Sequence, residues 1–188
     1  MSADQSNFGP SAILTPANLL TLGRIAAAPV VVVLFLHPGP SWILVGLWFV
    51  VSVSDGIDGW VARKMGATRS GAFLDPLADK VAVLAAFSVL VYQSRISWIP
   101  VAIVALREIA MSFYRSYAAR RGVSIPARKT AKAKTFVQDS AIGLACLPVL
   151  VHHNIVIVVA LWLAVALTVF TGVQYLLDGK KVMDLRVK

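Results

Sequence analysis

The chain has 188 residues, of which 58% are hydrophobic and only 14% are charged, and its formal net charge is +9. Charged residues make up about a quarter of an ordinary soluble domain, so this composition argues against a soluble fold. The single cysteine, Cys146, excludes an intrachain disulfide and is expected to serve packing in an apolar helix.

The N-terminal segment, residues 1–16, is short and polar, and the first Lys or Arg in the chain is Arg24. A secretory signal would begin with a basic segment and end in a small-residue cleavage site. We therefore expect the first apolar stretch to be retained as a helix.

Six apolar stretches follow, each close to the roughly 20 residues that a membrane-spanning helix needs. They lie at about residues 18–37, 41–58, 73–93, 97–118, 135–152 and 154–177. The pattern predicts an all-α protein, a polytopic six-helix transmembrane bundle. Residues 17–178 would form the six-helix transmembrane domain, between the polar segment 1–16 and a basic tail at 179–188.

The basic residues are concentrated in alternate connections, which argues for a membrane and against nucleic acid as the partner of the positive charge. They follow the second helix, separate the fourth from the fifth, and form the tail: Arg63, Lys64, Arg69; Arg115, Arg120, Arg121, Arg128, Lys129, Lys132, Lys134; Lys180, Lys181, Arg186, Lys188. The loops at 37–40 and 152–154 have none, and the loop at 93–97 has only Arg95. Because basic loops stay cytoplasmic, both termini are predicted inside the cell.

Four of the nine acidic residues form two pairs, Asp55 with Asp58 and Asp75 with Asp79. A carboxylate in a membrane helix is unfavourable unless it is paired or binds a cation, so these residues are functional candidates. Spacings of three and four put each pair on one face of a helix. The short connection between the pairs predicts antiparallel neighbours, so that all four carboxylates converge near the cytoplasmic end.

Four converging carboxylates would repel one another, and divalent cations would relieve that repulsion. An all-oxygen ligand set favours magnesium, manganese or calcium over zinc. A cation transporter is the alternative, but it predicts acids at the membrane midplane and a path to both faces. The outer helix ends are almost free of charge, which disfavours it. Adjacent residues point apart, so a metal role for His152 and His153 is also disfavoured.

Two glycines accompany the acids: Gly59 follows Asp58, and Gly71 precedes Asp75 by four positions. Glycine within a helix costs about 0.5–1 kcal/mol relative to alanine. Close helix packing would explain the glycines alone, but the neighbouring acids favour close approach of a ligand. Arg63, about one turn beyond Gly59, can bind a phosphate or anchor the helix at the membrane surface.

This pattern resembles the motif of the CDP-alcohol phosphotransferases. In that motif two aspartates three apart precede Gly, Ala-Arg, a spacer, a second Gly and two more aspartates. The matching positions are Asp55, Asp58, Gly59, Ala62, Arg63, Gly71, Asp75 and Asp79. The spacer at 64–70 is one residue shorter than is usual in the family, which leaves the register of the connecting loop open. Asn18, Thr21 and Arg24 are similar to the opening of the family's first helix.

The resemblance implies phosphatidyl transfer from CDP-diacylglycerol to a small alcohol, with release of CMP. It assigns Asp55, Asp58, Asp75 and Asp79 to two Mg²⁺ or Mn²⁺ ions, and Asp79 also to the general base. It assigns nucleotide binding to Asp58, Gly59, Ala62, Arg63 and Gly71. It places the enzyme in a bacterial inner (plasma) membrane, among membrane lipids, with the active site facing the cytoplasm. The oligomeric state stays open, a homodimer included.

Later segments are similar to the phosphatidylglycerophosphate synthases within that family. These are Arg107-Glu108-Ile109, followed by Arg115, and Lys132–Gln138, with Ala131 where those enzymes have glycine. Four basic residues would flank the acids and suit an acceptor that carries a phosphate, such as glycerol 3-phosphate: Arg107, Arg115, Lys132 and Lys134. Anchoring at the cytoplasmic face is the alternative, and it suits Arg107 poorly because Arg107 lies beside Glu108 inside an apolar stretch. Cardiolipin synthase and phosphatidylinositol-phosphate synthase remain alternatives.

Overall fold

The computed structural model describes the backbone of residues 16–65, 69–120 and 129–187, and the side chains of residues 19, 21–54, 57, 80–118, 130 and 133–179. Over these residues it is helical, without strands, as predicted. The long helices are α1 (Pro16–Leu36), α2 (Trp42–Met65), α3 (Arg69–Tyr92), α4 (Trp98–Arg120), α5 (Lys129–Cys146) and α6 (Asn154–Val187). A short 3₁₀ helix, Pro148–Leu150, connects α5 to α6.

Three helices, α2, α3 and α6, extend several residues beyond their apolar stretches. α2 continues to Met65 and α3 begins at Arg69, so both aspartate pairs lie on helical backbone. α6 continues through residues 179–187, the segment predicted as a separate basic tail. Polar residues end an apolar stretch, but they leave the helical hydrogen-bond ladder intact.

The limits of α5 differ from the predicted 135 and 152 by six residues at each end. Pro148 sets the C-terminal limit, because a proline disfavours the helical conformation at the preceding residue and lacks a backbone N–H. Leu147 accordingly adopts an extended backbone, with φ −68° and ψ 123°. The N-terminal limit at Lys129 places the polar run that begins with Thr130 inside the helix rather than in the preceding loop.

The apolar core lies in the half of the bundle near the connections at 37–41 and 93–97. α1 packs against both α2 and α3, α6 packs against α4 and α5, and α5 contacts α2. The largest fully buried side chains come from five helices: Phe35, Leu44, Phe87, Leu90, Ile142, Ile157 and Leu161. The aspartate-bearing segments lie in the other half of the bundle, toward the connection between α2 and α3.

The outer surface of the described helices carries many bulky apolar side chains, among them Ile43, Phe49, Phe113, Phe136 and Leu163. Monomeric soluble proteins rarely expose large contiguous apolar patches. Within the described residues one stretch, Asn154–Gly179, is long and apolar enough to cross a membrane by itself, with a mean hydropathy of 2.6. Three shorter apolar stretches, Thr21–Leu36, Trp42–Ser54 and Lys80–Tyr92, lie in α1, α2 and α3 among the residues whose side chains are described.

Candidate active site

Both aspartate pairs lie on continuous helical backbone: Asp55 and Asp58 on α2, and Asp75 and Asp79 on α3. Spacings of three and four therefore put the two positions of each pair on one side of their helix. The side chains of all four lie outside the described residues, as do those of the remaining predicted nucleotide-binding residues, Gly59, Ala62, Arg63 and Gly71. Their metal-binding, catalytic and nucleotide-binding roles stay predictions.

The two pairs lie at matching distances from the connection between α2 and α3. At about 1.5 Å per residue, Asp55 and Asp79 are each about 15 Å along their helices from the ends that this connection joins. By the same measure Asp58 and Asp75 are about 10 Å and 9 Å away. The connection contains three residues, 66–68. In an antiparallel arrangement the four positions would therefore form two levels of equal depth.

α3 is joined to α4 immediately after Asp79. The Lys80 ammonium donates a hydrogen bond to the Ser112 hydroxyl on α4. That hydroxyl donates in turn to the backbone carbonyl of Glu108, at 2.8 Å. The aspartate-bearing segment of α3 therefore lies within one helical turn of Glu108.

Glu108 joins two cations, the buried Lys134 and the half-buried Arg107. Its Oε1 accepts a hydrogen bond from Arg107 Nη1 at 3.0 Å and another from the Lys134 ammonium on α5. The side chains of Lys134 and Glu108 are only 8% and 14% exposed. Arg107 also donates from Nη2 to Thr171 Oγ1 on α6, at 3.0 Å. Arg107 therefore forms an ion pair with Glu108, and the cluster links three helices.

A polar stripe on α6 faces this cluster and α5. Thr168 Oγ1 accepts from Gln138 Nε2 at 3.1 Å, and Gln174 Oε1 accepts from Thr130 Oγ1 at 3.1 Å. With Thr171, these α6 residues recur every three positions and so share one face of the helix. The spacing of polar residues in an otherwise apolar helix is visible in the sequence and would have predicted the stripe.

The other two predicted acceptor residues are placed differently. Arg115 is exposed, and its guanidinium carbon lies 5.9 Å from the centroid of the Tyr175 ring, which also meets Tyr114 edge to face. The structure therefore brings Arg107 and Lys134 together but does not join Arg115 to them. The side chain of Lys132 lies outside the described residues.

A second polar region lies among α1, α2, α3 and α5. Buried Arg24 donates from Nε to Ser54 Oγ at 3.5 Å, directly before Asp55 in the chain. A small cavity beside this contact is large enough for one or two water molecules. Its lining consists of Arg24, Trp48, Val51, Ser52, Ala82, Val83, Thr135 and Asp139. The structure thus places polar groups next to both aspartate-bearing segments.

Comparison with known proteins decides the family. The model of the CDP-alcohol phosphatidyltransferase family matches residues 14–170. The chain belongs to this family. It is therefore an enzyme, a CDP-alcohol phosphatidyltransferase of phospholipid biosynthesis, as the aspartate motif indicated.

Several curated bacterial relatives of this phosphatidyltransferase match over most of their length. The CDP-diacylglycerol–glycerol-3-phosphate 3-phosphatidyltransferase of Rickettsia bellii is 35% identical over 171 residues, which cover 87% of this chain and 94% of the relative. A Mycobacterium tuberculosis protein named "Probable phosphatidylglycerophosphate synthase" is 38% identical over 173 residues, or 89% and 82% of the two chains. The CDP-diacylglycerol–glycerol-3-phosphate 3-phosphatidyltransferase of Bacillus subtilis is 34% identical, and the match covers 84% of this chain and 91% of the relative.

The divalent metals that this family implies fit the donor chemistry of the aspartate-bearing helices. Four carboxylates on two adjoining segments supply the all-oxygen set that magnesium and manganese prefer. In the part of the chain with described side chains, no group of three or more His, Cys, Asp or Glu residues offers a competing site. His152 and His153 are both exposed and belong to no such group.

Sequence reasoning gave no role to three residues that build this site region in the phosphatidyltransferase: Lys80, Ser112 and Thr171. Lys80 was visible as the residue after Asp79, and Thr171 as part of the α6 stripe. Ser112 lies four residues after Glu108 and bonds back to its carbonyl, a local pattern common for serine in helices. The contact between Lys80 and Ser112 depends on how α3 packs against α4, and local sequence does not specify that packing.

Proposed function

We propose that this phosphatidyltransferase uses glycerol 3-phosphate as its acceptor, so that CDP-diacylglycerol is converted to phosphatidylglycerophosphate and CMP. One observation carries the proposal: the half-buried Arg107 and the buried Lys134 both bond to Glu108, one helical turn from the Ser112–Lys80 link to the aspartate segment of α3. Buried Arg and Lys side chains suit an acceptor that carries its own phosphate. The names of the Rickettsia and Bacillus relatives agree with this acceptor.

In the proposed reaction the acceptor's hydroxyl oxygen forms a bond to the phosphorus that carries diacylglycerol. The bond from that phosphorus to the bridging pyrophosphate oxygen breaks, and CMP leaves with the electron pair. Asp79 takes the proton of the attacking hydroxyl as general base. Arg107 and Lys134 hold the acceptor's phosphate, and Gly59, Ala62, Arg63 and Gly71, together with Asp58, hold the nucleotide.

Asp55, Asp58 and Asp75, together with Asp79, would hold two Mg²⁺ or Mn²⁺ ions beside the pyrophosphate. When bound, such ions neutralise the negative charge that develops on the pyrophosphate and the leaving group. Arg24 would keep a buried positive charge next to the Asp55 segment. Metal dependence is thus part of the proposal.

We further propose that the six helices span a bacterial inner membrane with both termini and the active site on the cytoplasmic side. The apolar outer surface supports the spanning arrangement, and the concentration of basic residues in alternate connections supports the orientation. Single cysteines introduced into a Cys146→Ser background and labelled from one side of sealed vesicles test this. Position 153 should react from outside and positions 119–131 from inside; reaction of position 153 from the cytoplasmic side would contradict the orientation.

The acceptor is tested by supplying purified protein with CDP-diacylglycerol, magnesium and one acceptor at a time, and measuring CMP release and lipid product. Glycerol 3-phosphate should give phosphatidylglycerophosphate. Inositol phosphate and phosphatidylglycerol represent the two alternative enzymes of the family. If one of them gives product and glycerol 3-phosphate gives none, the acceptor assignment is wrong and the family assignment stands. A cation transporter would instead move ions into vesicles without releasing CMP.

A further inference from the structure

The two cations of the proposed acceptor site are both held by one carboxylate oxygen, Glu108 Oε1. Arg107 and Glu108 are neighbours on α4, whereas Lys134 comes from α5. Two positive charges held side by side and largely out of water repel each other, and a carboxylate between them removes that repulsion. The three groups together keep a net charge of +1, so the cluster can still attract an anion.

Arg107 is fixed on its other side by α6. Thr171 Oγ1 donates its own proton to the backbone carbonyl of Leu167 at 2.7 Å, which leaves an oxygen lone pair for Arg107 Nη2. The stem of Arg107 lies across Gly172, where an added Cβ would be 3.5 Å from Arg107 Nε. The plane of the guanidinium is therefore set by Glu108 on α4 together with Thr171 and Gly172 on α6.

Glu108 is itself connected to the helix that carries Asp79. Its backbone carbonyl accepts from Ser112, which accepts from Lys80. The orientation of the two cations is thus linked to α3 at the residue that follows the proposed general base. A buried ion pair is weak evidence for stability, because an apolar replacement of similar volume is often as stable.

We infer that Glu108 is a positioning residue for the acceptor. It holds the Lys134 ammonium and the Arg107 guanidinium at a fixed separation, and Thr171 fixes the far side of Arg107. The inference rests on the proposed function, because it assigns Glu108 to the acceptor's phosphate and not to CDP-diacylglycerol.

The test is steady-state kinetics of Glu108→Gln, an exchange that keeps the shape of the side chain and removes its charge. The apparent Michaelis constant for glycerol 3-phosphate should rise by about tenfold, as expected when a hydrogen bond to a charged group is lost. The constant for CDP-diacylglycerol should stay within about twofold, because the Glu108 carboxylate bonds, among the described residues, to the two acceptor cations. Glu108→Asp, which keeps the charge, should recover part of the loss. Thr171→Val should raise the same constant by a smaller factor.

Asn154→Ala is the matched control, because it removes a hydrogen-bond partner of Arg95 at the opposite end of the bundle. It should lower the melting temperature in detergent and leave both Michaelis constants unchanged.

If Glu108→Gln behaves like this control, the contact is only structural and the inference is overturned, while wild-type activity with glycerol 3-phosphate keeps the proposed function intact. If wild-type protein makes no product from glycerol 3-phosphate, the proposed function fails and the inference fails with it. Should Glu108→Gln not fold, unchanged acceptor constants in Glu108→Asp and Thr171→Val overturn it equally.

Discussion

The two ends of the bundle bury polar side chains in different ways. At the end near the connection at 93–97, polar groups bond to helix ends. Gln93 Nε2 donates to the Phe35 carbonyl at 2.7 Å, and Arg95 Nη1 donates to the Ala145 carbonyl at 3.1 Å. The last carbonyls of a helix lack partners within the helix, so these side chains satisfy acceptors that the fold itself leaves open.

At the other end, Arg107, Glu108 and Lys134 lie inside helices whose backbone groups are already paired, and they bond to one another instead. No open helix end requires these charges. Removing charges from water is unfavourable, and pairing them often only offsets that loss. The fold therefore explains the polar residues near Arg95, whereas the polar residues around Glu108 need a functional explanation.

The largest expected effect comes from the aspartates of the site end. Asp55→Asn or Asp75→Asn should reduce CMP release to background while the protein keeps its melting temperature, because an amide binds divalent cations more weakly than a carboxylate. Asp178→Asn, outside both pairs, is the matched control and should stay active. Undiminished CMP release in excess chelator would contradict the proposed dependence on a divalent metal.

The next largest effect concerns the acceptor. Lys134→Ala and Arg107→Ala should each weaken acceptor binding by on the order of 2–5 kcal/mol, since each removes a buried partner of a charged group. The Michaelis constant for glycerol 3-phosphate should therefore rise about thirtyfold or more, and that for CDP-diacylglycerol far less. Equal rises in both constants would mean that the cluster supports the whole fold rather than the acceptor.

The difference between the two ends of the bundle was only partly predictable from the sequence. The Asp55–Asp79 motif identified the family, because carboxylates at regular spacing are rare in apolar segments unless they bind a cation or pair with one. The six apolar stretches identified the six helices. Hydropathy predicted α2 and α3 to be too short, because it ends a helix where the apolar residues end. It measures the preference for lipid and does not report helical hydrogen bonding. The grouping of Arg115 with Arg107 followed from their predicted position on the side of the acids and from the resemblance to phosphatidylglycerophosphate synthases, whereas contacts across helices decide which side chains meet.

A smaller effect, of a different kind, is expected at the opposite end. Arg95→Ala removes the hydrogen bonds to Asn154 and to the Ala145 carbonyl. The free energy of unfolding should fall by about 1.5–3 kcal/mol, the range for hydrogen bonds to charged groups. Thermal unfolding in detergent measures this loss. Both Michaelis constants should stay unchanged at a temperature where the variant is folded. A selective change in the Michaelis constant for the acceptor would contradict the purely structural role of Arg95.

The smallest effect is expected from Arg115→Ala, which locates the boundary of the acceptor site. Arg115 lies about 12 Å along α4 beyond Arg107, and it is exposed with its guanidinium over Tyr175. An exposed cation–π contact contributes about 0.5–1 kcal/mol, and water competes for the charge. The Michaelis constant for glycerol 3-phosphate should therefore change by less than about threefold, well below the change in Lys134→Ala. A rise as large as that of Lys134→Ala would instead extend the acceptor site two turns along α4 to Arg115, as the sequence grouping predicted.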